Sequence, residues 1–269
     1  MPRSWREVSA VDILAFQFTG EHMNFTQRLR QNELLLGTML TLPSPEVAEM
    51  IASCGYDWLF MDGEHGNLST LGWQRMLQAV AGRSASIIRV ADKSEREIKK
   101  ILDIGAEGII APQVNTAAQA RHLVACCKYP PQGIRGVGLA RAQGYGRSFA
   151  DYMETANDSI AVIIQAEHID AVNNIDEIVE VDGIDAVFIG PYDLSASMGL
   201  MGQVEHPEVV EAIDRVGRAC QQRQIALGYF GTSAESVQAY ASKGYHLICA
   251  GTDAGFILGG AQQTLDELR

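Results

Sequence analysis

At 269 residues and 47% hydrophobic content, the chain is long enough to bury a large core, as one α/β domain or two small ones. Its formal net charge of -12 sets it against nucleic acids and anionic membrane surfaces, whose phosphates would repel it, but an anionic small molecule is compatible wherever a few arginines converge. The N-terminus carries no apolar run of signal-peptide length, and no stretch reaches the roughly 18 to 20 apolar residues of a membrane span, so a soluble protein is expected. Cys54, Cys126, Cys127, Cys220 and Cys249 show no Cys-x-x-Cys spacing. They suit a reduced cytoplasm and read as small packed hydrophobes, four in or at the ends of predicted helices and Cys249 in a strand.

Residues 1–24 are mixed and poorly periodic and read as an N-terminal extension, leaving 25–269 as one domain. The regular pattern begins at Leu34. Short apolar runs predict strands over 34–40, 57–63, 86–90, 108–112, 161–167, 185–190, 225–230 and 246–250. Amphipathic segments predict helices over 46–53, 69–81, 95–104, 117–126, 171–179, 207–223, 234–242 and 255–268. Ser44 before Pro45, Ser94, Thr116, and His206 before Pro207 mark helix starts. Gly55, Gly105 and Gly244 each end a helix and lead straight into a strand. Eight β-then-α units in an unbroken series predict a (β/α)8 TIM barrel. The connection from Lys128 to Ala161 is far longer than the few residues usual between a helix and a strand, which marks a functional or independently folded segment.

In such a barrel the C-terminal ends of all strands meet around one mouth, whatever their separation in sequence. The run Trp-Leu-Phe-Met-Asp-Gly-Glu-His at 58–65 ends an apolar strand in Asp62, Glu64 and His65. The other strand ends add Arg89, Gln113, Gln165, Glu167 and Asp193. Glu167 and Asp193 are a candidate pair for Mg2+ or Mn2+, because two carboxylates leave positions open for water and substrate. The alternative is that Asp193 caps the turn at Ser195 and Glu167 pairs with an arginine. Arg89, inside an apolar run, either snorkels or faces an anion. His65 is either a general base, with an unperturbed pKa near 6.5, or a hydrogen-bonding loop residue.

Six ordered motifs are specific enough to carry a resemblance. They are the 58–65 run, Ile88-Arg89, Leu-Asp-Ile-Gly at 102–105, Tyr-Pro-Pro-Gln-Gly-Ile-Arg-Gly-Val-Gly at 129–138, Gln-Ala-Glu at 165–167, and Val-Phe-Ile-Gly-Pro-Tyr-Asp-Leu-Ser at 187–195. Together they resemble the HpcH/HpaI aldolase family of metal-dependent class II pyruvate aldolases, including the 4-hydroxy-2-oxo-heptanedioate and 2-keto-3-deoxy sugar acid types. The resemblance implies reversible cleavage of a 4-hydroxy-2-oxo acid to pyruvate and an aldehyde.

It also implies that Glu167 and Asp193 bind the metal, Mg2+ or Mn2+ with Co2+ or Zn2+ as further candidates. Arg89 would stabilise the enolate oxygen, and Gln165, Tyr192, Asp193 and Phe230 would line the substrate site. His65, paired with Asp103 and acting through a water, would take the proton from the C4 hydroxyl. A homo-oligomer is implied, trimer or hexamer, with the last helix exchanged between subunits and Asp103 reaching into the adjacent site. No Schiff-base lysine is required, and the strand ends offer none.

Three departures stand out. Gly66-Asn67 follows His65 where the family often has a small residue and Pro, which predicts a more flexible loop. His168 follows Glu167 where Thr is common, and Phe230 replaces a smaller aliphatic residue. An oxaloacetate decarboxylase, or a carbon–carbon bond-forming enzyme like macrophomate synthase, would use the same enolate and is the alternative reading. Lyases of citryl or malyl thioesters and a non-catalytic barrel rank below both.

Overall fold

Side chains alternate between the two faces of a strand, and in a closed barrel one set points inward. The computed structural model describes residues 23–269. Residues 1–22, which are nearly all of the expected 1–24 extension, lie outside the described residues. Eight parallel strands close in sequence order. They are β1 (Leu35–Leu40), β2 (Trp58–Asp62), β3 (Ala85–Arg89), β4 (Gly108–Ala111), β5 (Ala161–Ala166), β6 (Ala186–Ile189), β7 (Ala226–Gly231) and β8 (Leu247–Thr252). The expected TIM barrel is therefore the fold.

The inward set forms its own core. Trp58 and Phe60, Ala85 and Ile87, Ala161 and Ile163, and Ala186 and Phe188, each pair two residues apart on its strand, are buried together with Leu35 and Met39, which are four apart on β1. Trp58, Phe60 and Phe188 pack edge to face or stacked, with centroids 5.6 to 6.1 Å apart. The Trp58 Nε1–H donates to the Leu35 carbonyl at 3.3 Å, which satisfies the indole in a dry interior. A helix α1 (Phe25–Arg30) closes the N-terminal end with Phe25 and Leu29. The outward set, including Leu59, Met61, Ile88, Ile109, Ile164 and Val187, forms the second core beneath the surrounding helices.

Those helices are α2 (Pro45–Ala52), α3 (Thr70–Val80), α4 (Glu95–Asp103), α5 (Ala117–Cys127), α6 (Phe149–Ser159), α7 (Ile169–Asn173), α8 (Ile175–Ile178), α9 (Pro191–Ser197), α10 (Pro207–Arg223), α11 (Ala234–Ser242) and α12 (Asp253–Glu267). Ser44, Ser94, Thr116 and His206 cap α2, α4, α5 and α10 as their spacing predicts, each accepting a backbone N–H.

Four expectations are corrected. The helix expected over 171–179 is two short ones, because Asn174 (φ −99°, ψ 9°) leaves the helical region while its side chain donates to the Asn115 carbonyl at 2.8 Å. The long connection contains α6, a helix absent from the expected set although Phe149, Tyr152, Met153 and Ala156 recur at helical spacing; Ala156 is buried, and Tyr152 and Met153 pack partly buried against the outer core. Polar contacts hold it as well: Asn157 pairs through its side-chain amide with the backbone of Tyr129, and Lys128 Nζ donates to the carbonyls of Asn157 and Ile160. A short α9 follows β6, where sequence periodicity is absent. Cys54 is exposed in the turn after α2, whereas Cys126, Cys127, Cys220 and Cys249 are buried.

Candidate active site

Continuing the inward alternation by one step carries each strand from its apolar core to a functional side chain. On β2 the series Trp58, Phe60 ends in Asp62; on β3 Ala85, Ile87 ends in Arg89; on β5 Ala161, Ile163 ends in Gln165, with Glu167 one step beyond. The polar groups therefore stand on a rigid apolar floor. A cavity of about 190 Å3 opens above it, lined by Met39, Phe60, Asp62, His65, Arg89, Gln165, Phe188, Tyr192, Asp193 and Phe230.

Arg89 is buried and tied down on all sides. Its Nε and Nη2 lie 2.9 Å from Asp62 Oδ1, its Nη1 lies 3.1 Å from Glu64 Oε2, and its guanidinium sits 5.2 Å from the Phe60 ring centroid. Asp62 Oδ1 also accepts the N–H groups of Glu64 and His65, so one carboxylate orients both the arginine and the loop that carries the histidine. Gly66 has a packing reason: a Cβ there would overlap the Asp62 carbonyl, so the close return of this loop requires glycine. His65 leans toward Glu64 at 3.9 Å and is 71% exposed at its side chain.

Glu167 is buried at the end of β5. Its Oε1 accepts the Gln113 N–H at 2.8 Å, and its Oε2 accepts from Gln165 Nε2. Burial pushes its carboxyl up to about 7; the Gln113 N–H and Arg89 oppose this, and the negative charges of Asp193 and Glu64 add to it. Gly190 faces this pair, and a Cβ there would come within 3.0 Å of Glu167 Oε2. Asp193 is exposed in the first turn of α9. Nearby, burial lowers the Lys93 ammonium below the usual lysine range, against the pull of Glu167, Glu64 and Asp92.

The donor set fits a hard divalent cation. Gln165 Oε1 is buried without a hydrogen-bond partner, and a carboxyl held near 7 by burial is one that a cation would stabilise in its charged form. Among the described residues no group of three or more His, Cys, Asp and Glu side chains converges. An all-oxygen set of two carboxylates and one amide suits Mg2+ or Mn2+ better than Zn2+.

The structure brings His65, Arg89, Gln165, Tyr192, Asp193 and Phe230 around one cavity, with Glu167 bonded to Gln165 beside it. It does not bring Asp103 there. Asp103 ends α4, at the opposite end of the barrel, and its carboxylate binds Arg135 Nη2 at 2.8 Å. The pairing of His65 with Asp103 is thus not made within one chain. Reading the sequence missed Met39, Phe60 and Phe188 as cavity floor and Lys93 as a neighbour of Glu167. Phe60 and Phe188 were open to inference, since they precede Asp62 and Gly190 by two residues. His168, flagged as a departure, caps α7 by accepting the Asp170 N–H at 3.1 Å.

Comparison with known proteins places the chain in a family. The profile of the HpcH/HpaI aldolase/citrate lyase family matches residues 36–258. A 2-keto-3-deoxy-L-rhamnonate aldolase of Escherichia coli (strain K12) is 41% identical over 232 residues, covering 85% of this chain and 86% of the relative. Among solved structures, an HpcH/HpaI aldolase/citrate lyase family protein from Burkholderia cenocepacia J2315 superposes with a TM-score of 0.88 at 36% identity, over 91% of this chain and 98% of its own. An HpcH/HpaI aldolase from Desulfitobacterium hafniense DCB-2 does so with a TM-score of 0.85 at 29% identity, over 92% and 97%. The chain belongs to the HpcH/HpaI aldolase/citrate lyase family and is a carbon–carbon lyase that performs metal-dependent aldol cleavage.

Proposed function

We propose that the substrates are 2-keto-3-deoxy sugar acids, cleaved to pyruvate and a hydroxylated aldehyde, with His65 and Arg89 as the groups that act on the reacting atoms. The observation that carries this reading is the convergence of His65, Arg89, Gln165 and Asp193 on one cavity of about 190 Å3, beside Glu167. The sugar acid class is supported by the E. coli relative.

Glu167, Asp193 and Gln165 Oε1 would hold the cation, Mg2+ or Mn2+. When bound, it supplies a Lewis acid for the keto and carboxylate oxygens of the pyruvate half. The protein's own groups do the rest. His65 takes the proton from the C4 hydroxyl, the C3–C4 electron pair moves into the pyruvate half as an enolate, and the C4 carbon leaves as the aldehyde. Negative charge grows on the enolate oxygen, where the Arg89 guanidinium is already fixed by Asp62, Glu64 and the Phe60 ring. A donor that need not reorganise lowers the barrier more than one that must. Tyr192 and Phe230, edge to face at 6.5 Å, form the wall on the aldehyde side.

His65 is open to solvent in one chain, so the site needs cover from elsewhere. A homo-oligomer supplies it in this reading, with Asp103 of one subunit meeting His65 of the next. The exposed Phe256, Ile257, Leu258 and Leu265 on α12 support an exchanged terminal helix. Buried free cysteines support a cytoplasmic setting, and among the described residues no helix is long and apolar enough to cross a membrane.

The test supplies pyruvate, Mg2+ or Mn2+ and a panel of hydroxylated aldehydes, and measures 4-hydroxy-2-oxo acid products. Chelator-insensitive activity, or wild-type rates in Glu167→Ala, would overturn the site assignment. Oxaloacetate turnover faster than any aldol cleavage would favour a decarboxylase instead.

A further inference from the structure

Gln113 is the residue through which the loop after β4 grips Glu167, and its backbone sits in the left-handed region at φ 52°. A residue with a Cβ stays there only when its surroundings force it to. The force comes from Lys93, in the loop between β3 and α4. Its Nζ donates to the Pro112 carbonyl at 3.0 Å and to the Gln113 carbonyl at 2.9 Å.

The Pro112 carbonyl and the Gln113 N–H belong to the same planar peptide, in which oxygen and hydrogen point in opposite directions. An ammonium holding the oxygen on one side therefore aims the N–H at Glu167 on the other. The second carbonyl fixes the next peptide as well, so both peptide planes around the Gln113 Cα are held. Asn174 pins the far end of the loop through the Asn115 carbonyl.

We infer that Lys93 is a positioning residue for the cation site: by clamping the peptides on either side of Gln113 it directs the Gln113 N–H onto Glu167 Oε1 and fixes where that carboxylate stands. The inference rests on reading Glu167 as a cation ligand. Lys93 does not line the cavity and touches no substrate in this scheme. It acts two bonds removed from the chemistry, which is why no strand-end inventory includes it.

The experiment is a calorimetric titration of the metal-free, full-length protein with Mn2+ alone, repeated for Lys93→Met, Lys93→Arg and Glu167→Ala. Lys93→Met is expected to weaken Mn2+ binding about tenfold or more, as loss of a group that orients a metal ligand does. Lys93→Arg is expected to stay within about threefold of wild type, because a guanidinium can donate to both carbonyls. At saturating Mn2+, kcat of Lys93→Met returns to within about threefold of wild type, since the lysine orders the site rather than the substrate.

Mn2+ binding by Lys93→Met within twofold of wild type, or an equal loss in the Met and Arg variants, would overturn the inference. Glu167→Ala separates the two levels. If it binds Mn2+ like wild type, the reading of Glu167 fails; if it loses Mn2+ while Lys93→Met does not, only the role of Lys93 fails. Should Lys93→Met not fold, Lys93→Ala, which likewise has no side-chain donor, takes its place in the same titration, with the same two outcomes.

Discussion

Asp185 and Glu167 are both buried carboxylates, placed at opposite ends of neighbouring strands, and their surroundings differ in one respect. Asp185, at the floor before β6, accepts Arg30 Nε at 2.7 Å and the Val162 N–H at 2.8 Å, so a full positive charge meets it. Glu167, at the mouth after β5, accepts from two amides. Amides orient a carboxylate without neutralising it, and burial then pushes its pKa up to about 7. Charge is balanced at the floor of the barrel and left short at its mouth. Around Glu167 the carboxylates Asp62, Glu64 and Asp193 face the cations Arg89 and Lys93.

The largest test of this contrast is Glu167→Ala or Asp193→Ala. Either should lower kcat/KM by about 1,000-fold or more, the worth of several kcal/mol of Lewis-acid stabilisation, and abolish Mn2+ binding by titration. Next comes His65→Ala, expected to cut kcat for aldol cleavage by about 100- to 10,000-fold. Oxaloacetate decarboxylation in the same variant should fall less than about tenfold, because that route to the enolate has no C4 hydroxyl proton to remove. Equal losses on both substrates would assign His65 to binding.

The pH dependence at the mouth follows from Glu167. The unfolded carboxyl ionises near 4.5 while the folded one keeps its proton up to about 7, so the metal-free fold binds more protons than the unfolded chain in that window. Its stability therefore falls as pH rises from 4.5 to 7, and Glu167→Gln should flatten that slope in thermal melts. Proton and cation compete for the same oxygens, so Mn2+ affinity should weaken about tenfold per pH unit below 7.

At the floor the effect is on stability alone. Arg30→Ala leaves Asp185 buried beside a backbone N–H and should cost about 1–3 kcal/mol, less than a fully buried pair because Arg30 is partly exposed, with kcat unchanged. The smallest expected effect is chemical. A thiol reagent applied to the native protein should label Cys54 and spare the four buried cysteines, without loss of activity.

Much of this was legible along the chain because barrel strands carry their own coordinates. A run such as Trp58 to Asp62 announces its length, and its polar end marks the mouth. Helices with an apolar stripe and a serine, threonine or histidine cap were legible for the same local reason. Helix α6 carries the same stripe in Phe149, Tyr152, Met153 and Ala156 and was overlooked inside the long connection; what no periodicity encodes is the polar reach of Asn157 and Lys128 that ties the start of that connection to it. Lys93 was hidden too: it is followed by a helix cap in sequence, and its partners come from the loop after the next strand.

The sequence by itself determined the (β/α)8 architecture and the chemistry of the strand ends, because alternation and strand direction are local properties that force those ends into one ring. Only the tertiary structure decided which groups meet inside that ring. Asp62 turned out to anchor both Arg89 and the His65 loop, Asp103 was placed at the far end with Arg135, and a peptide held by Lys93 was aimed at Glu167. Those pairings depend on distances between residues remote in sequence, and closure of the barrel sets them.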